Sequence, residues 1–292
     1  MYQNIKHPSS KDWIMFFEQL FLWLAGISFI SGIGFFIAYN WNEFGKFFKF
    51  LLIEGLMVIS IGITLIIKNK WISNISLFVA SFLVGVFMAL FGQVYQTQAD
   101  SWELFFYWAL LIFPWVWINR FIGNWLLWFL LLELVLVLYE PAFNIYTLKY
   151  NLFWELFAFN TLALFFWEYI SKKFDIKYSF LVYKMLFILS TFSITVLMFE
   201  TDLILPISVW ILWIIGVYYF YRIRSISIYT LSVMSVSIVI VVDVLLIRGI
   251  DKMHIHNLML PILMIGLITI SLGALLVNWL KDVSKEANNV FE

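Results

Sequence analysis

Residues 91–105, FGQVYQTQADSWELF, gather Gln93, Gln96, Gln98, Asp100 and Glu103 between two long apolar blocks. Amides carry both donors and acceptors, whereas ionised carboxylates only accept. Together they suit a sugar, a lipid headgroup or a hydrated cation. If the preceding helix runs on through this stretch, Gln93, Gln96 and Asp100 share one face at i, i+3 and i+7. A plainer reading makes Asp100 or Ser101 the N-cap of the next helix, with Glu103 completing a capping-box-like pair. The glutamines would then bond loose carbonyls at the end of the helix before. Both readings stay open for Asp100. For Gln93 and Gln96 a polar site or an interhelical hydrogen-bond network is the favoured one.

A second polar stretch, YNWNEFGK, holds Asn40 and Trp41 at the end of an earlier apolar block. Taken alone, Trp41 reads as an interfacial belt residue, and Asn40 as a helix C-cap that tolerates the left-handed conformation. Both gain interest because the two stretches fall on one side of the membrane in the topology derived below. Glu54, Glu133, Glu155 and Asp243 lie inside apolar blocks. A carboxylate at that depth costs on the order of 2.5–3.5 kcal/mol, so each is expected to face protein or water. Glu133, with no polar neighbour in LLWFLLLELVLVLY, and Glu54 are expected to be buried and partnered. Glu155 and Asp243 are expected near the interface, the latter within reach of Arg248.

Other chemistry is thin. His254 and His256 stand two apart with no cysteine and no H-x-x-x-H spacing, so no metal is assigned. Gly32-x-Gly34 follows no strand, and no Ser-His-Asp set, HExxH or phosphate loop is present. No catalytic residue and no cofactor is therefore expected.

The elements that must position these residues follow from composition. The chain has 292 residues, 64% of them hydrophobic and 12% charged, where soluble domains carry about a quarter charged. No soluble fold of this size hides so much apolar surface. With zero net charge there is no electrostatic case for a nucleic-acid partner. A helix of about 20 apolar residues crosses a bilayer. That ruler predicts spans at 20–39, 48–67, 75–94, 102–118, 124–139, 151–170, 178–199, 203–221, 226–247 and 257–280. Backbone polar groups in lipid must be satisfied within each span, and no ten-residue alternation suggests a barrel. The expectation is an all-α polytopic transmembrane bundle of about ten spans with short loops and no soluble domain. Residues 1–19 read as a cytoplasmic interfacial segment, with Ser9-Ser10-Lys11-Asp12 capping a short helix before the first span. Residues 20–149 and 150–280 form two membrane regions, and 281–292 a cytoplasmic tail.

Ten spans put thirteen of the 18 basic residues on one side, with both termini. Basic residues mark the cytoplasmic side. The stretches around Asn40 and Gln93 then face outward, on a side holding eleven carboxylates. Small residues recur at helical spacing: Ala25, Ser28 and Gly32 on the first span, Ser81 and Gly85 on the third, Gly266, Ser271, Gly273 and Ala274 on the tenth. Each reads as a packing stripe. Pro114, Pro206 and Pro261 are expected to kink their helices.

The two outer stretches also carry a resemblance. GIGFFIAYNW followed by KFFKFLL, and then FGQVYQTQADSWELFFYWALLIFP, resemble the bacterial membrane family called domain of unknown function 2157. The match runs through Ala38, Asn40, Trp41, Gly92, Gln93, Tyr95, Gln96, Asp100, Leu104, Phe105, Trp108, Ala109 and Pro114. It covers the N-terminal half and implies a bacterial inner membrane. The family brings no activity. It implies company with other membrane proteins of one system, so the expected partners are membrane lipids and such proteins. Three functions stay open. The favoured one is a non-enzymatic component of a membrane assembly with an outward polar and acidic site at Asn40, Trp41, Gln93, Tyr95, Gln96, Asp100 and Glu103. The next is a transporter or lipid-handling protein using the intramembrane acids. The last is an intramembrane enzyme acting on a lipid-linked envelope substrate.

Overall fold

In lipid a chain this apolar has one economical solution, backbone hydrogen bonds closed inside each helix. A computed structural model of the chain describes residues 10–40, 42–96, 98–143, 148–200, 203–224, 226–252 and 259–289. Ten α-helices follow one another: α1 (Ser10–Tyr39), α2 (Lys46–Ile66), α3 (Lys70–Tyr95), α4 (Ser101–Asn119), α5 (Ile122–Phe143), α6 (Leu148–Lys173), α7 (Phe180–Val196), α8 (Ile204–Tyr218), α9 (Ile228–Lys252) and α10 (Met259–Asn289). A 3-10 turn extends α7 through Phe199, and six residues of π-helix, Tyr219–Arg224, extend α8. There is no strand among the described residues.

Among the described residues nine helices are long and apolar enough to cross a membrane, and α6 is the exception. Asn160, Thr161 and Glu168 lower its hydropathy, yet its 26 residues would reach across a bilayer at 1.5 Å each. Two of its polar residues turn inward. Asn160 is fully buried and donates through Nδ2 to the Leu156 carbonyl at 2.8 Å, and the Thr161 hydroxyl bonds that of Ser190 at 2.8 Å. At the start of the chain, α1 is one unbroken helix of 30 residues. The expected interfacial helix is therefore the first part of that element rather than a separate one.

Two compact units divide the chain: residues 1–145 with 174–179, and residues 146–173 with 180–292. In the first, α3 is central and packs against α1, α2, α4 and α5. Asn69 caps it, its Oδ1 accepting from the Trp71 and Ile72 amides at 2.9 and 3.4 Å. The α2–α3 hairpin is joined by hydroxyls: Ser73 Oγ donates to the Thr64 carbonyl at 3.0 Å, Thr64 Oγ1 to that of Ser73 at 3.3 Å, and Ser76 Oγ to that of Ser60 at 2.8 Å. Such bonds let two helices approach where lipid offers no hydrophobic drive.

The small-residue stripes divide. On α3 the expectation holds: the Trp108 ring of α4 lies on Gly85, and its Nε1 donates to the Ser81 carbonyl at 2.8 Å. On α1 it does not. Ala25, Ser28 and Gly32 are exposed, and the packing face is Gly26, Ile30 and Ile33, with Gly26 against Ile75 and Val79. On α10, Gly266 and Gly273 have open space beside them. The prolines also differ from expectation. Pro206 and Pro261 each stand third in their helices, where the amide hydrogen has no partner to lose. Of the three, Pro114 lies in a helix interior, and α4 runs on through it.

In the second unit α7 carries a ladder of buried hydroxyls. Besides the bond from Ser190 to α6, Thr195 Oγ1 pairs with Ser237 of α9 at 2.6 Å. From α8, Trp210 Nε1 donates to Ser237 Oγ at 2.9 Å, and Trp213 Nε1 to Thr191 Oγ1 at 3.1 Å. Met198, Val241 and Val244 form an apolar cluster beside it, with Ile207 and Trp210 packed against them.

Candidate functional site

Helix α3 ends because Gln96 adopts the left-handed conformation, φ 47° and ψ 43°, its amide donating back to the Gly92 carbonyl. Asp100 then lies extended, φ −65° and ψ 150°, at the N-cap of α4. The helix therefore does not run through this stretch, and Gln93, Gln96 and Asp100 do not form the i, i+3, i+7 face. A left-handed residue turns the chain out of its helical path. Asp100 does occupy the N-cap position, but its side chain makes no capping bond there; its carbonyl accepts from the Glu103 amide at 3.1 Å. The carboxylate is thus spared for other contacts.

Of the three residues that helical continuity would have aligned, the turn brings Gln93 and Asp100 together in another way. A cavity of about 430 Å³ is lined by Gln93 from α3, by Asp100 and Ser101 at the turn, and by Glu103 and Tyr107 from α4. Met88, Phe91 and Leu104 supply its apolar wall. Phe91 also lines a neighbouring cavity of about 600 Å³ bounded by Phe47, Phe48, Phe50, Phe87, Tyr95 and, from α2, Glu54. The aromatic wall is ordered: Phe91 and Phe50 lie 4.7 and 6.0 Å from the Tyr95 ring, and Phe87 lies 5.5 Å from Phe50.

Glu54 was expected to be buried and partnered. It is exposed, and among the described residues it makes neither a hydrogen bond nor an ion pair. Eight residues beyond Lys46, it stands about 12 Å along α2 at 1.5 Å per residue. The reason for its exposure is that α2 buries Lys49, Ile53 and Ser60, which leaves the neighbouring Glu54 beside the aromatic opening. Glu133 does conform: on α5 it is only 9% exposed.

The remaining expected site residues take local duties or lie elsewhere. Asn40 caps its own helix, Nδ2 donating to the Phe36 carbonyl at 2.8 Å. It does so without the left-handed backbone its type permits. Gln96 is exposed and outside both cavities, and Trp41 lies outside the described residues, as do His254 and His256. In the second unit Glu155 is exposed. Asp243 accepts from Thr269 Oγ1 of α10 at 2.6 Å rather than pairing with Arg248, which bonds the Glu200 carbonyl. Five residues separate Arg248 from Asp243, a rotation of roughly 140° that points the two apart. Among the described residues no group of three or more His, Cys, Asp or Glu is placed to hold a metal ion.

Sequence reading missed two polar features. The hydroxyl ladder of α7 was visible as LSTFSIT, but short hydroxyl residues inside an apolar run scarcely lower its hydropathy. Asn124 was read only as the first residue of the fifth span. It lies in the first turn of α5, fully buried, with neither amide atom hydrogen-bonded among the described residues.

Residues 2–125 match the family model described as Predicted membrane protein (DUF2157). This bears out, for the N-terminal portion, the resemblance carried by the Asn40 and Gln93 motifs. The matched segment takes in the whole of α1, α2, α3 and α4 and the first turn of α5, with both cavities. No curated protein and no solved structure matches the chain. The chain is a multi-pass helical membrane protein.

Proposed function

We propose that this multi-pass membrane protein is a non-enzymatic component of a membrane assembly, and that the Glu54 opening with the adjoining Gln93–Asp100–Glu103 cavity receives a basic side chain of a partner membrane protein. One observation carries the reading: Glu54, exposed on α2 within a span and walled by aromatic rings. Facing lipid, such a carboxylate would cost on the order of 2.5–3.5 kcal/mol, so something polar or cationic must cover it. Aromatic faces favour a cation over neutral occupants, worth about 0.5–2 kcal/mol per contact. Asp100 and Glu103 extend the negative lining toward the loop. The site is read as outward facing in the bacterial inner membrane, with both termini cytoplasmic, from the distribution of basic residues.

The test is affinity purification of the full chain in mild detergent, wild type beside Glu54→Gln. A stoichiometric co-purifying membrane protein, lost from the variant, is the expected result. A monomer with no companion, or a companion retained in full by Glu54→Gln, overturns the reading. Bound lipid lost with Glu54→Gln, in place of any protein, would move the assignment to lipid handling.

A further inference from the structure

At the other end of α3 the first unit holds a further cavity, of about 340 Å³ and opposite character. Its lining comes from three places: Lys70, Trp71 and Asn74 in the first turn of α3, residues 119–122 around the α4–α5 turn, and residues 174–178. Three cations, Lys70, Arg120 and Lys177, face it with a single carboxylate, Asp175. None of the three cations is in an ion pair among the described residues. The Arg120 guanidinium lies over the Phe174 ring, 4.1 Å from its centroid, which fixes the plane of its donors. Asn119 lines the same cavity, and its Nδ2 is buried without a hydrogen-bond acceptor among the described residues. The lining therefore offers an excess of donors and of positive charge over its one carboxylate.

The backbone is unusual at the same place. Four non-glycine residues have positive φ among the described residues, and three of them, Arg120 (53°), Asp175 (48°) and Tyr178 (59°), line this cavity. Left-handed conformations at such residues cost on the order of 1 kcal/mol each and gather where a site needs them. Here they orient the arginine and the 174–178 segment toward the opening. Trp71, Phe121 and Tyr178 form an aromatic wall, with Trp71 6.3 Å from each of the other two rings.

We infer that this cavity binds a phosphate group carried by an anionic lipid headgroup. Phosphate oxygens accept from guanidinium, ammonium and amide donors together, and basic pockets between membrane helices suit such headgroups. The aromatic wall suits the glycerol and upper acyl carbons at the interface. A free phosphate shares the charge chemistry but leaves that wall unused.

The full chain, purified in a non-ionic detergent, is heated with dioctanoylphosphatidylglycerol, with dioctanoylphosphatidylcholine, or with inorganic phosphate. Phosphatidylglycerol is expected to raise the unfolding midpoint by about 3 °C or more at saturation. Phosphatidylcholine, whose phosphate is offset by a cation, is expected to do much less. In Lys70→Gln/Lys177→Gln the shift disappears, and in Lys70→Arg/Lys177→Arg it survives. Where the glutamine pair does not accumulate, Lys177→Gln alone reports a smaller loss. A shift from inorganic phosphate that the same variants abolish retains the phosphate chemistry and reassigns its source to a soluble anion. Equal shifts from the two lipids, or a shift indifferent to Lys70 and Lys177, overturn the inference. Glu54→Gln leaves the lipid response intact, which separates this site from the aromatic opening.

Discussion

Residue type alone separates little among the polar side chains of this protein. Asn40 and Asn69 serve opposite helix ends, the one donating to a carbonyl and the other accepting from amides. Glu54 and Glu133 have comparable apolar neighbours in sequence, yet one is exposed beside aromatic rings and the other is buried. The sharpest single-residue constraint is Gly85. A Cβ there would stand 2.5 Å from three ring carbons of Trp108, which is buried and tethered to the Ser81 carbonyl. Gly85→Ala gains up to about 1 kcal/mol of helix propensity. Overpacking costs about 1–3 kcal/mol, and with the ring buried and its Nε1 tethered the larger figure applies. A lower unfolding midpoint in detergent is expected, and an unchanged or raised midpoint would show that Trp108 yields freely.

Among the elements, α3 carries the first unit, because every other helix of that unit from α1 to α5 packs on it. Its N-terminus depends on Asn69, whose single side-chain oxygen satisfies two amides that the helix leaves open. Asn69→Ala is expected to lower stability by about 1 kcal/mol, while Asn69→Asp retains the acceptor and most of that stability. Denaturant titration of both variants in one detergent distinguishes the outcomes; equal loss in both would assign the effect to the turn and not to the cap. Helix α6 shows the complementary case. Its polar residues make it look unlike a span, but the Asn160 amide nitrogen and the Thr161 hydroxyl are bonded within the second unit, so a hydropathy ruler understates what the helix can cross.

For the whole molecule, the decisive quantity is orientation, since the proposed partner site and the phosphate cavity lie at opposite ends of α3. The proposed orientation, argued from the distribution of basic residues along the sequence, turns the phosphate cavity toward the cytoplasm. The chain has no cysteine, so engineered thiols report cleanly. Gln98→Cys in intact cells is expected to react with a membrane-impermeant maleimide, and Ser225→Cys is not. The reverse pattern would turn the Glu54 opening to the cytoplasm and place the basic cavity outside.

Helix number and class were legible in the sequence because lipid imposes one rule on every backbone amide, and apolar length alone obeys it. That Gln93, Asp100 and Glu103 stand near one another was legible too, since one short polar stretch between two apolar blocks holds them all. Its geometry was not. The helical face it suggested gives way to a turn at Gln96, set by one left-handed residue whose type does not announce it. Which small-residue stripe packs was equally hidden: Ser81 and Gly85 receive Trp108, whereas the stripe on α1 receives nothing because Gly26 turns the other face inward. The basic cavity draws on residues 70 to 178, a span of sequence across which no pattern signals proximity. Composition and periodicity determine what each segment can be. Only packing decides which side chains meet, because helix rotation about its axis depends on the neighbours that fill the space around it.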